Sequence, residues 1–204
     1  MRPETKRIAR FGLLTAMMLI LGLLDRAIPL GSLLGGALPG VKLGLANTVL
    51  IYAVYWMTPE SALLLLAAKI LLSGFIFGSL SAILYSLAGG ALSLAVMLLL
   101  RGKKQSPGRI ILTSVGGAMA HNLGQVLAAS LILRTPGLLA VYLPPLLGIG
   151  AGVGALTGTV AWRVMKTVPD SFFEGDGWLD EMEHIFLAAK PMMDFMNAVI
   201  DDYE

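Results

Sequence analysis

Hydrophobic positions dominate the chain through residue 167, in runs that recur with short breaks. Several approach the roughly 20 residues that an α-helix needs to cross a bilayer core. The pattern predicts six helices over residues 8–27, 41–57, 59–76, 79–100, 109–132 and 143–166. Pro29, the Gly-Gly at 35–36 and Pro39-Gly40 break the first pair and leave an apolar loop. Thr58-Pro59-Glu60-Ser61 forms a tight turn, with Thr58 placed to cap a helix and Pro59 at its first position. The run RGKKQSPGR is the clearest polar loop, and Arg134, Pro136 and Gly137 open the fifth break.

Composition gives the same class. Hydrophobic residues make up 56% and charged residues 14%, with a mean hydropathy of +0.79. Soluble domains carry about a quarter charged residues. The expected fold is therefore all-α, a polytopic membrane protein of six transmembrane helices. With no cysteine present, disulfides, iron–sulfur clusters and thiol catalysis are excluded.

The net charge of +2 hides an asymmetry between a basic membrane domain, residues 1–167, and an acidic tail, residues 168–204. With the N-terminus cytoplasmic, the inside segments collect Arg2, Lys6, Arg7, Arg10, Arg101, Lys103, Lys104, Arg109, Arg163 and Lys166. Outside there is little beyond Arg26, Lys42 and Arg134. That bias follows the positive-inside rule, and an even number of spans returns the tail to the cytoplasm. The basic start and the run Phe11–Leu24 mimic a signal peptide, but no A-x-A site follows and further spans do. In the tail, Trp178, Leu179, Met182, Ile185 and Phe186 fall near helical spacing, which suits a short amphipathic helix or a solvated extension. Its acidic face disfavours binding to anionic lipid.

Small residues set how the helices associate. Gly116, Ala120, Gly124 and Ala128 recur at four-residue intervals, as do Gly150, Gly154 and Gly158. Such ladders let backbones approach closely in lipid, so they are read as packing faces. GIGAGVG at 148–154 is not a nucleotide loop, because no strand precedes it to aim a helix at a phosphate.

Chemistry concentrates in the embedded polar residues: Asn47, Lys69, His121, Asn122 and Gln125, with Lys42 at the mouth of the second helix. Groups at such depth cost a few kcal/mol on insertion scales and face a bundle interior or aqueous cavity. His121 and Gln125 are four apart and share a face, as do Lys69 and Ser73. Two readings stand. The set lines one cavity open to the outside and binds a small anionic molecule, or each group is satisfied separately, with Lys42 snorkelling to headgroups and Asn47 bonding a neighbouring helix.

No nucleophile stands beside a plausible base, and the embedded part has too few acids to hold Mg²⁺ and a diphosphate. The doublet Asp201-Asp202 lies at the extreme C-terminus, and His184 near Asp180 and Glu181 lacks the further ligands of a metal site. No cofactor, metal or nucleic acid is expected.

LPGVKLGLANTV, residues 38–49, resembles the signature of a bacterial membrane family described as heptaprenyl diphosphate synthase component I, also called the Gx transporter family. The six-span layout, the Gly-rich first loop and HNLGQ at 121–125 are similar too, so the resemblance covers about residues 8–166. It implies an architecture similar to the S components of energy-coupling factor transporters, which capture vitamins in their outer half and work with a coupling membrane subunit and two ATPases. In such proteins small residues of the first helix meet the coupling subunit, and here Gly12 and Ala16 offer such a pair. The synthase description implies instead a non-catalytic companion of a prenyltransferase.

Overall fold

The computed structural model describes residues 3–27, 44–77, 80–102 and 105–167. The expected external loop with Lys42, and the acidic tail with its expected amphipathic helix, His184 and Asp201-Asp202, lie outside these residues. Among the described residues there are six helices and no strand. They are α1 (Pro3–Ala27), α2 (Leu45–Trp56), α3 (Pro59–Phe77), α4 (Leu80–Leu100), α5 (Pro107–Ile132) and α6 (Gly137–Thr167). The protein is an all-α membrane protein. Four of the six, α1, α3, α4 and α6, are long and apolar enough to cross a bilayer.

Three helix starts differ from the sequence pattern by four residues or more, the first helix beginning at Pro3 rather than at 8. The second helix starts at Leu45 rather than at 41, because Gly44 adopts a left-handed backbone, φ 67°, which a right-handed helix cannot incorporate. The last helix starts at Gly137 rather than at 143 and runs through Pro144 and Pro145. Those prolines donate no N–H to the carbonyls of Ala140 and Val141, but both of these residues are exposed, so neither orphan lies in the packed core. At 31 residues, α6 is about 46 Å long, well beyond a hydrocarbon core of about 30 Å. Its first turns can therefore reach the interface, where water satisfies them.

At the centre stands the shortest helix. With 12 residues α2 rises about 18 Å, little more than half a bilayer, yet it packs against all five others. Ile51, Ala53 and Val54 are fully buried and Leu50 nearly so, as expected of a helix that is apolar all round. Leu14 and Met18 of α1, Leu65 and Ile70 of α3, and Met97 of α4 complete the core. The outer faces are equally apolar: Phe75, Leu80, Leu99 and Leu131 are each more than 70% exposed, a surface suited to lipid.

Neighbouring charges hold both ends of α2. Gly44 supplies no side-chain cap, and the buried Asp25 of α1 accepts a hydrogen bond from the Leu45 N–H at Oδ1, 3.1 Å. At the other end the Arg101 guanidinium donates to the Val54 carbonyl, 2.9 Å. A carboxylate at a helix N-terminus and a cation at its C-terminus both oppose the helix dipole, and together they satisfy backbone groups that lipid cannot.

The glycine ladders divide their work. Gly150, Gly154 and Gly158 of α6 face α5: a Cβ added to Gly154 would meet Val115 Cα at 2.7 Å, and one on Gly158 would meet Ile111 Cα at 2.9 Å. Gly116 and Gly124 of α5 turn the other way, to α4, where a Cβ on Gly124 would meet the Ala88 carbonyl at 2.7 Å. Between α5 and α6 the hydroxyls of Ser114 and Thr157 pair at 3.1 Å. By contrast, Gly12 and Ala16 of α1 are exposed, with nothing within 4 Å of a Cβ built on Gly12.

These contacts set the cost of two substitutions. Gly124→Ala should cost about 1–3 kcal/mol, because the new methyl meets backbone that cannot rotate away, while Gly152→Ala, on an open face, should be near neutral; denaturant titration in detergent compares them. Asp25→Ala should cost about 1–3 kcal/mol by stranding a backbone N–H, and Asp25→Asn, which keeps an acceptor oxygen, should cost less; thermal unfolding of the purified variants ranks the two.

Candidate functional site

Polar side chains gather at one level of the bundle, around the N-terminal end of α2. Residues 121–125, HNLGQ, lie past the midpoint of α5 and divide between two neighbours. His121 and Gln125 face α4, where Gly89 leaves the space they fill: a Cβ there would stand 2.7 Å from Gln125 Cγ and 3.2 Å from His121 Cε1. Asn122, one residue round, faces α6. Its Nδ2 donates to the Leu146 carbonyl at 2.7 Å, and Gly150 admits the amide because a Cβ there would meet it at 2.7 Å.

Gly89 belongs to a glycine pair that couples three helices. Its neighbour Gly90 faces α3, where a Cβ would stand 3.1 Å from the side chains of Leu66 and Ile70. The half-buried Lys69 sits on that same turn of α3, beside Ile70. Thus the diglycine brings the lysine-bearing turn of α3 and the His121–Gln125 turn of α5 to two faces of α4 about 100° apart at one level. A Gly-Gly inside an apolar helix costs stability relative to alanine, and that cost was the signal available in the sequence.

Asn47 occupies the first turn of α2. Its backbone N–H bonds the Gly44 carbonyl at 2.8 Å, and its amide packs over Gly44, whose left-handed turn also lies against Val153 of α6. Gly154 sets that level of α6 against Val115 and Ala118 of α5. The start of α2 therefore falls within about two helical turns of His121, roughly 10 Å along the bundle axis. Asp25 reaches the same level from α1 through its bond to Leu45. Running the first helix outward places Asp25 near the outer surface among the groups able to line a cavity, but neither its capping of α2 nor the role of Gly89-Gly90 shows in the pattern of polar residues.

The layer thus holds a carboxylate already engaged by a helix N-terminus, three amides, one imidazole and a lysine at its margin. Groups of these kinds are able to hydrogen-bond and orient a polar solute; among the described residues no group of three His, Cys, Asp or Glu side chains is placed to hold a metal ion. At the opposite end of the bundle Arg101, Arg109, Arg163 and Lys166 form a basic rim, Lys166 lying 5.8 Å over the ring of Trp162.

Neither a curated protein nor a solved structure matches the chain. One family model does, over residues 14–164, from Leu14 in α1 to Val164 near the end of α6. The match takes in all or part of each of the six helices, the glycine pair and the polar layer, and on it the chain belongs to the heptaprenyl diphosphate synthase component I family.

Proposed function

We propose that this membrane protein is a multi-pass, non-catalytic subunit that captures a small anionic molecule from the outer side. The observation that carries this reading is the polar layer itself. Intramembrane imidazole, amide and ammonium groups are costly and mark solute pathways, and a half-length helix ending at mid-bundle is where membrane transporters place binding sites. Lys69, with Lys42 from the segment before α2, would hold the anionic group, and His121, Gln125, Asn47 and Asn122 would fix its orientation. Asn122 would do so through its bond to α6. The basic rim supports an orientation with both termini cytoplasmic, since Arg10, Arg101, Arg109, Arg163 and Lys166 all belong to the end of the bundle opposite the layer.

The sequence carries no ATP-binding motif, so ATP-driven uptake would need a coupling membrane subunit with its ATPases. The open face of α1 at Gly12 and Ala16 is the surface that suits such a subunit. The family description favours a second reading, a membrane companion of a prenyltransferase that makes heptaprenyl diphosphate.

For the first reading, purified protein is screened by thermal unfolding against small carboxylates, phosphates and diphosphates. At about 100 times its Kd a bound solute adds about 2.7 kcal/mol, a rise of several degrees. The rise should vanish in Lys42→Ala and Gln125→Ala and persist in Leu131→Ala, whose side chain faces outward; equal responses in all three would dismiss the assigned site. For the second, a prenyltransferase of the same cell should co-purify with the protein and elongate faster in its presence. An unchanged rate would remove that reading.

A further inference from the structure

Among the described residues, the buried hydroxyls are hydrogen-bonded with one exception. Thr15, Ser61, Thr113, Ser114, Ser130 and Thr157 are all buried and all hydrogen-bonded. Some bond another helix, and others find a local acceptor, as Thr15 does at the Phe11 carbonyl, 2.8 Å, and Ser130 at the Thr135 carbonyl, 3.2 Å. Ser93 does neither. It is 1% exposed, and its Oγ has no partner. An unsatisfied buried hydroxyl costs about 1–3 kcal/mol, enough that one retained beside a candidate site calls for an occupant.

Its position names the site. Gly89, Ser93 and Met97 fall at four-residue intervals on one face of α4, and the flanking two both meet α5, Gly89 at His121 and Gln125, Met97 at Gly117. Ser93 therefore stands opposite the turn of α5 that runs from Gly117 to His121. Side chains lean toward the N-terminus of their own helix, and α4 and α5 run antiparallel. Ser93 accordingly leans toward Gly89 while His121 leans toward Gly117, so the two converge. From the outer end inward the polar groups come in the order Gln125, His121, Ser93, and below them Met97 closes the stripe at 0% exposure.

We propose that Ser93 is the inner end of the solute site and hydrogen-bonds the deepest group of whatever enters it. The inference rests on the capture reading and deepens it by chemical class. A serine hydroxyl donates and accepts without carrying charge, and the buried Met97 one turn further along its stripe is apolar. An ion placed there would lose its hydration with nothing to replace it. The solute is therefore two-ended: its anionic group stays at the lysine margin, and its leading end is a neutral hydroxyl, amide or ring nitrogen.

The absence of cysteine makes the test direct. Ser93→Cys, Gln125→Cys and Leu94→Cys are each introduced into the full chain, kept in membranes and treated with N-ethylmaleimide, a small neutral thiol reagent. Ser93→Cys and Gln125→Cys should react several-fold faster than Leu94→Cys, whose site lies in the sealed core. If Gln125→Cys reacts and Ser93→Cys is as slow as Leu94→Cys, the role of Ser93 is overturned while the polar site stands; if both are slow, the capture reading falls as well. Ser93→Ala checks the packing independently. With an orphan hydroxyl removed, its unfolding temperature should equal or exceed that of the parent, and a drop of several degrees would mean that the hydroxyl serves the fold and receives no solute.

Discussion

A backbone inside lipid must satisfy its own polar groups, and the central helix of this bundle is too short to do so alone. Its first N–H groups begin inside the bundle, while its last turn runs into the exposed segment Thr58–Glu60. Asp25 of α1 meets one end, and Arg101, one residue past α4, meets the other. These bonds fix where α2 begins and ends, and so fix the level at which Asn47 and the left-handed turn at Gly44 sit. The level of the polar layer depends on that placement.

Helix association around α2 has a different origin. Burial from water cannot drive helix against helix when lipid is as apolar as leucine, so close approach of backbones must supply the contacts. The ladders of α5 and α6 do this, but on two faces of α5: Gly116 and Gly124 admit α4, while Gly150, Gly154 and Gly158 let α6 close on Ser114, Val115 and Ala118. The same α5 turn that carries His121, Asn122 and Gln125 is thus clamped on both sides. Rigidity of that turn is what lets three neighbouring polar residues point in two directions with defined neighbours.

Much of this is legible in the sequence and some is not. Long apolar runs separated by proline, glycine and basic breaks mark helices whatever packs against them, which is why six are expected and six are present among the described residues. The pattern misplaces the start of α2 by four residues because a glycine between apolar neighbours carries no sign of its backbone angle. It misplaces the start of α6 because Pro144-Pro145 reads as a stop, whereas an exposed turn tolerates the two carbonyls the prolines strand. His121, Asn122 and Gln125 stand out as polar residues in an apolar run. Their division between α4 and α6 does not, since it depends on Gly89 and Gly150, which contribute only absent side chains.

Asp25 illustrates a consequence for chemistry. A helix N-terminus with exposed N–H groups is a ready anion site, and an anionic solute approaching the start of α2 would be drawn to it. Asp25 already accepts from the Leu45 N–H and so occupies that end of the helix. On the capture reading, attraction for an anion would then fall to the half-buried Lys69 at the margin of the layer. The interior of the layer is left with amides, imidazole and hydroxyl, groups that distinguish one hydrogen-bonding pattern from another. On that reading, charge at the rim would recruit and neutral groups within would select, a separation by which a small bundle could hold one solute and refuse another of the same charge.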